Sequence, residues 1–179
     1  MGEKAVGDVG EVRILEMSGE EMEKLRMGAI TAIDGLWFLA AERKLGFETA
    51  LELDMDVWKN YGTVMLKRVA RSMDIETDPE DPPDMDTVGT LVEVLCAIDG
   101  TVCKTRVIDE DNAVMTVPHC AWWENLSRAG RQDLVPCEEV DNNTFIHWLK
   151  ELDPSLEFEI THSLPRGNDR CEWIIRRAR

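Results

Sequence analysis

The sequence predicts an α+β fold in which an N-terminal helical unit precedes a four-stranded antiparallel sheet, ordered ββ-α-α-ββ, with helices on one face. Two observations carry this expectation. Apolar side chains recur at helical spacing from residue 19 to about residue 72. From residue 101 onward the pattern changes to short alternating runs paired across polar turns. Of the 179 residues 44% are hydrophobic, which suffices for a packed core.

Each element has a local cause. Ser18 stands three residues before Glu21, the spacing of a capping box, so a helix is expected from Gly19 to Leu45 with Gly46 at its end. Its apolar positions are Leu25, Ala29, Ile33, Leu36, Trp37 and Ala40. A second helix runs from Phe47 to about Ser72, its buried side supplied by Ala50, Leu51, Val57, Trp58, Met65, Leu66 and Val69. Gly62 is expected to break or kink it, because glycine inside a helix costs roughly 1 kcal/mol. Asp74–Asp86 carries seven acidic residues and three prolines, the composition of a surface linker. It divides a helical unit, residues 1–73, from an α+β unit, residues 87–179. Residues 1–17 are expected to form a loose or edge-lying start.

In the second unit a short helix, residues 87–98, leads into a hairpin. Thr101–Ile108 and Ala113–Pro118 are its strands, and Asp109-Glu110-Asp111-Asn112 is its turn. A helix over Ala121–Arg128 and a loop through Pro136 follow. Another helix is expected over Asn142–Leu152, with Asp141 or Asn142 as its cap. Leu156–Thr161 alternates apolar and acidic side chains, as a half-buried strand does. Residues 163–170, with Pro165, Gly167 and Asn168, form the turn to a last strand, Cys171–Arg177.

Charge narrows the function. With 36 acidic against 20 basic side chains the net charge is −16, which disfavours a grip on nucleic acid or on an anionic membrane. No stretch approaches the ~18–20 uninterrupted apolar residues of a membrane helix. Met1–Gly10 lacks a basic-then-apolar signal pattern, so a cytoplasmic location with reduced thiols is expected. The phosphate-loop, zincin and serine-elbow motifs are missing from the sequence.

The candidate site residues fall into three groups. Cys120, Cys137, His162 and Cys171 concentrate the soft-ligand chemistry in the C-terminal half. Asp34 projects from a helical face shared with Ile30, Thr31, Trp37 and Phe38, and a carboxylate there must be paired, hydrogen-bonded or protonated. Asp54, four residues before Trp58, repeats the arrangement. The rings of Trp37, Phe38, Trp58, Trp122 and Trp123 either fill the core or line a pocket for a flat or cyclic molecule, with Asp34 among them. His119 is expected to face away from Cys120, since neighbours on a strand point to opposite sides.

Two family resemblances follow from particular residues. Cys120 opening a helix after a hairpin, the Ala129-Gly130 end of that helix, and the run SLPRGNDRCEWII resemble the 4-vinyl reductase domain family over roughly residues 87–177. That family binds small molecules and is related to heme nitric-oxide-binding sensors. The full length, with AIDGLWFLAAERKLGFETALELDMDVW in front, resembles the L-2-amino-thiazoline-4-carboxylic acid hydrolase-like family. Those hydrolases open a cyclic amidine to give N-carbamoyl-cysteine.

The first resemblance implies a structural zinc. Cys120 and Cys171 match two of the family's cysteines, His162 falls nearest a third, and Cys137 supplies a fourth position. The expected function is binding of a small apolar or cyclic molecule, accompanied by that zinc. The alternative is a hydrolase acting on a cyclic C–N bond, with Cys120 or Cys171 as nucleophile or a metal activating water, and Asp34 or His119 moving the proton. A third expectation is a protein-interaction subunit, and the apolar helical front makes a homodimer plausible.

Overall fold

The structure, a computed structural model, describes residues 17–78 and 81–178. The expected loose start at residues 1–16 and Pro79 of the linker lie outside the described residues. The order of elements is α1 (Gly19–Leu45), α2 (Phe47–Ser72), α3 (Met85–Ile98), β1 (Val102–Asp109), β2 (Asn112–His119), α4 (Ala121–Arg128), α5 (Cys137–Leu152), β3 (Leu156–His162) and β4 (Cys171–Arg177). The architecture is the expected α+β one, with a four-stranded antiparallel sheet in the order β1-β2-β4-β3.

Helix α1 starts where its capping box places it. Ser18 Oγ accepts the Glu21 amide at 3.2 Å, and the Glu21 carboxylate accepts the Ser18 amide at 2.9 Å. It stops at Gly46, whose φ of +87° lies in the region glycine tolerates and a side chain does not, so one residue joins α1 to α2. Asp84 caps α3 by accepting the Thr87 amide at 2.8 Å, which starts that helix two residues earlier than expected.

Helix α5 departs further from expectation. It begins at Cys137, five residues before Asn142, with Pro136 at its cap position and Glu138 and Glu139 in its first turn. Carboxylates there are favoured by the helix dipole. Asp141 consequently lies within the helix rather than capping it.

The core follows the strand period. Ala113, Met115 and Val117 of β2 and Cys171, Trp173 and Ile175 of β4 point to one face and are buried, with Met115 opposite Trp173. On the helical side the core is filled by Val88, Leu91, Val92 and Leu95 of α3 and by Phe145, Trp148, Leu149 and Leu152 of α5. Leu66, Val69 and Ala70 of α2 enter the same cluster, so the helical front and the sheet share one core. Val57, expected on the buried side of α2, is exposed instead.

Gly62 does not interrupt α2, which runs through it to Ser72. Its role is a close approach: a Cβ at this position would lie 1.9 Å from Nε1 of Trp148. The Trp148 indole passes over the bare backbone and donates to the Trp58 carbonyl at 3.0 Å. At the far end of the sheet Arg177 gathers three segments. It donates to Asp153 Oδ2 at 2.7 Å, to the Pro83 carbonyl at 2.8 Å and to the Glu110 carbonyl at 3.2 Å.

Gly62→Ala is expected to lower stability by about 1–3 kcal/mol or more through overpacking, read as a shift of the urea midpoint. Combining it with Trp148→Leu should cost less than the sum of the single changes, because both act on one contact. Additive losses would show that Gly62 and Trp148 do not constrain one another.

Candidate functional site

A cavity of about 220 Å³ lies between the helices and the inner face of the sheet. Engineered apolar cavities of roughly 150 Å³ already admit benzene, so the space suits an organic molecule. Its wall is assembled from distant parts of the chain. Helix α1 supplies Asp34 and Phe38, α2 supplies Asp54, Trp58 and Tyr61, and the end of α3 supplies Cys96 with Asp99 just beyond it. Trp122, Trp123 and Leu126 come from α4, Cys137, Asp141, Thr144 and Phe145 from α5, and Cys171 and Trp173 from β4.

Each of these side chains is placed by the periodicity of its element. In α5, Cys137, Asp141, Thr144, Phe145 and Trp148 recur at three- and four-residue steps and so share one helical face. In α2 the same holds for Asp54, Trp58 and Tyr61, and in α1 for Asp34 and Phe38.

Hydrogen bonds set the ring orientations. Trp58 Nε1 donates to Asp34 Oδ1 at 2.9 Å, bridging α2 to α1. Trp122 Nε1 donates to Asp99 Oδ2 at 2.8 Å, and the Thr101 amide holds the other oxygen of Asp99 at 3.1 Å. The two indoles meet edge to face, with centroids 4.7 Å apart and planes at 74°. Tyr61 packs against Trp58 in the same manner, at 4.8 Å.

The carboxyls are unusual for their number and burial. Burial raises Asp34, against hydrogen bonds from Trp58 and Asp54 that lower it. Burial first, and then the facing Asp34 carboxylate, push Asp54 up to about 8. The two therefore hold one proton between them at neutral pH, since adjacent buried carboxylates cannot both ionise cheaply. Asp54 is only 9% exposed, and its Oδ1 has no hydrogen-bond partner among the described residues. Burial also raises Asp99, and burial followed by the nearby Glu138 brings Asp141 up to about 7.

The cysteines are held as thiols. Burial, and next Asp141, push Cys120 up to about 12, and the same causes raise Cys137 far above its usual range. Burial raises Cys171 as well. A thiol is a poor nucleophile and a poor metal ligand until it loses its proton.

The sequence-derived candidates divide by place. Asp34, Phe38, Trp58, Trp122, Trp123, Cys120, Cys137 and Cys171 stand on the cavity wall. Trp37 is exposed on α1 and does not line it. His119 is also exposed, with Nδ1 3.2 Å from Glu124, and stands outside the cavity. His162 lies outside as well, its Nδ1 3.4 Å from Glu172 on the strand surface. Cys120 Sγ accepts the Trp123 amide, Cys171 Sγ accepts the Leu164 amide, and Cys137 approaches Asp141 at 4.0 Å. Among the described residues no three His, Cys, Asp or Glu side chains are grouped to hold a metal ion.

Sequence reasoning does not single out Asp99, Tyr61 or Arg131 as site residues, and it gives Asp141 only a capping role. The Cys137-Asp141-Phe145 spacing is the signal that places Asp141 inside a helix. Asp99 sits in a polar turn and carries no such signal. Arg131 lies over the Phe38 ring at 5.8 Å and forms a two-toothed pair with Glu42, both contacts 2.9 Å.

Comparison with known proteins defines the family but not a reaction. Residues 21–175 match the model of the Family of unknown function (DUF6125), and the chain belongs to that family. No curated protein matches the chain. A solved structure similar to it is trafficking protein particle complex subunit 3 from Naegleria fowleri, covalently bound to palmitic acid. The two align with a TM-score of 0.57 and 9% identity over 87% of this chain and 97% of that one. At that identity the likeness is one of fold.

A carboxyl raised in the folded state stabilises folding below its unfolded pKa, near ~3.9 for aspartate, and that contribution is lost as pH rises. Stability should therefore decline between about pH 4 and pH 8 through Asp54, which titrates at about 8. Asp54→Asn should flatten this slope and make the protein more stable than wild type at pH 9, measured by urea unfolding across the range. An unchanged slope would show that Asp54 is not held protonated by its surroundings.

Proposed function

We propose that this chain, as a member of the DUF6125 family, is a small-molecule-binding protein that holds a largely apolar ligand in the cavity between its helices and its sheet. The observation that carries this reading is the wall itself. Phe38, Trp58, Trp122, Trp123, Phe145 and Trp173 enclose the space, and a few buried polar groups interrupt them. Ligand sites have this composition, apolar surface for affinity and sparse polar anchors for orientation. The fold likeness to a subunit that carries palmitic acid supports it further. The raised thiols favour binding over catalysis by a cysteine, because an attacking thiolate is scarce at neutral pH.

A second reading concerns assembly, and one observation favours it. Helix α1 is buried on a narrow stripe only, while Ile33 and Leu36 on its outer side are each 69% exposed. Leu25 and Trp37 of α1 and Val57 and Val64 of α2 are exposed too. Apolar side chains left in water on two neighbouring helices are the usual mark of a protein contact. The ligand-binding protein is then also a subunit, joined through α1 and α2 to a second copy of itself. None of the described helices is long and apolar enough to cross a membrane.

Titration with 1-decanol should quench tryptophan fluorescence saturably and raise the melting temperature, since a ligand at a hundred times its Kd adds about 2.7 kcal/mol. Leu126→Trp, which fills the cavity, should remove both effects. Absence of any saturable signal with the wild-type protein would defeat the binding reading. Ile33→Glu together with Leu36→Glu should convert a dimer to a monomer in sedimentation without loss of decanol binding. A wild-type protein that sediments as a monomer at high concentration would defeat the assembly reading.

A further inference from the structure

We infer that the end of the cavity framed by Asp34, Asp54, Trp58 and Trp122 is a site for an organic cation, a protonated or quaternary amine carried on an apolar body. The inference rests on the cavity being a ligand site and adds the chemical class of what it takes.

The first support is the balance of charge around the space. Four carboxyl groups line it, Asp34, Asp54, Asp99 and Asp141, against one cationic side chain among the described residues, Arg131. The guanidinium of Arg131 is already matched by both oxygens of Glu42. Among the described lining residues no positive group is left to receive a ligand carboxylate, which would meet like charge in a weakly screened space. A fatty acid anion is therefore a poor occupant.

The second support is an oxygen without a partner. Asp54 is nine-tenths buried and its Oδ1 makes no hydrogen bond among the described residues, although buried polar atoms are almost always paired. Its neighbour in the cavity is another carboxyl, Asp34, whose own oxygen is taken by Trp58. A buried acceptor beside a second carboxyl calls for a donor or a positive charge from outside the chain. An ammonium group meets both requirements, and one monocation offsets a pair of carboxylates that otherwise retains a proton.

The third support is the ring corner. Trp58 and Trp122 meet edge to face at 4.7 Å, and Tyr61 joins them at 4.8 Å from Trp58. Both indole N–H groups are used up on carboxylates, Trp58 on Asp34 and Trp122 on Asp99. What the indoles still present are their π faces, which attract cations and repel anions. Donation from N–H to a carboxylate enriches the ring in electron density, and it fixes each ring in place before any ligand arrives.

The test uses three probes of one size: benzyltrimethylammonium, its neutral isostere neopentylbenzene, and phenylacetate. Each is titrated into the full chain and followed by tryptophan fluorescence and calorimetry. The cation should bind at least tenfold more tightly than neopentylbenzene, with phenylacetate the weakest. Asp34→Asn combined with Asp54→Asn, which keeps the shape and removes both carboxyls of the pair, should abolish that preference. Thermal unfolding of the variant confirms its fold, and Trp122→Phe provides a second route, with an expected loss severalfold larger for the cation than for neopentylbenzene. Equal binding of cation and isostere, or a preference that survives replacement of both Asp34 and Asp54, would overturn the inference and leave the cavity a general apolar site. Failure of all three probes would also overturn it, and saturable binding of 1-decanol would then show whether the cavity binds ligands at all.

Discussion

The contact on which the rest of the molecule depends is the crossing of Trp148 over Gly62. It is the place where α2 and α5 come close enough for an indole to lie on backbone, with its N–H on the Trp58 carbonyl. That carbonyl belongs to the residue whose own ring forms part of the cavity wall. Trp148 also packs against Phe145, which touches Phe158 and Trp173 on the sheet. One ring system therefore runs from the sheet through α5 to the backbone of α2. It fixes how far α2 stands from the sheet, and thus the width of the space beneath Trp58. A larger residue at position 62 would push the helices apart, and a smaller one at 148 would let them close.

Once that spacing is set, the carboxyls become the principal expense of the fold. Asp34, Asp54, Asp99 and Asp141 are all raised by burial, and nothing in the packing of the core requires four acids there. Apolar residues of similar volume would stabilise the helices better, since burial of an unpaired charge is among the costliest events in folding. Contrast Asp153, where burial also raises the group but Ser155 and Arg177 outweigh it and hold it low. That acid closes a structural junction among the last strand, the first hairpin turn and the segment before α3. Asp153, which braces the frame, has a cationic partner in Arg177, while the acids around the cavity have none among the described residues. Stability given up at one location and recovered at another is what a binding site looks like in energetic terms.

Helix α1 shows the same division along a single element. Its inner stripe carries Asp34, which ties to Trp58, and Phe38, which closes a small cluster with Ala50 and Leu51. Glu42 at the next turn pairs with Arg131 beyond α4. These three contacts occur at a helical spacing of four, so they hold one edge of the helix and leave the other free. The outer edge carries Leu25, Ile33 and Leu36 into solvent. A helix with apolar side chains all round belongs between two bodies. Here α2 packs against its inner edge.

How much of this is legible in the sequence follows from how local each cause is. The Ser18–Glu21 box, the Gly46 junction, the α4 limits, the alternation in β3 and the bounds of β4 rest on neighbours within a few residues, and the structure has them where the sequence places them. The start of α5 is displaced because Asp and Asn are the usual caps, whereas Pro136 and two glutamates begin this helix. Gly62 misleads for a different reason. Its helix cost is a local quantity, and the indole that makes glycine necessary arrives from residue 148. The same limit applies to the site. Asp34 stands out because its helical neighbours are apolar, and the rings around it draw notice for their number. Asp99 looks like an ordinary turn residue, since only Trp122 across the cavity gives it a role. The family resemblance groups His162 with Cys171, yet the turn between them leaves the histidine on the exposed surface while the cysteine faces inward. Spacing along the chain reports which face of an element a residue occupies; it does not report what another element will bring to that face.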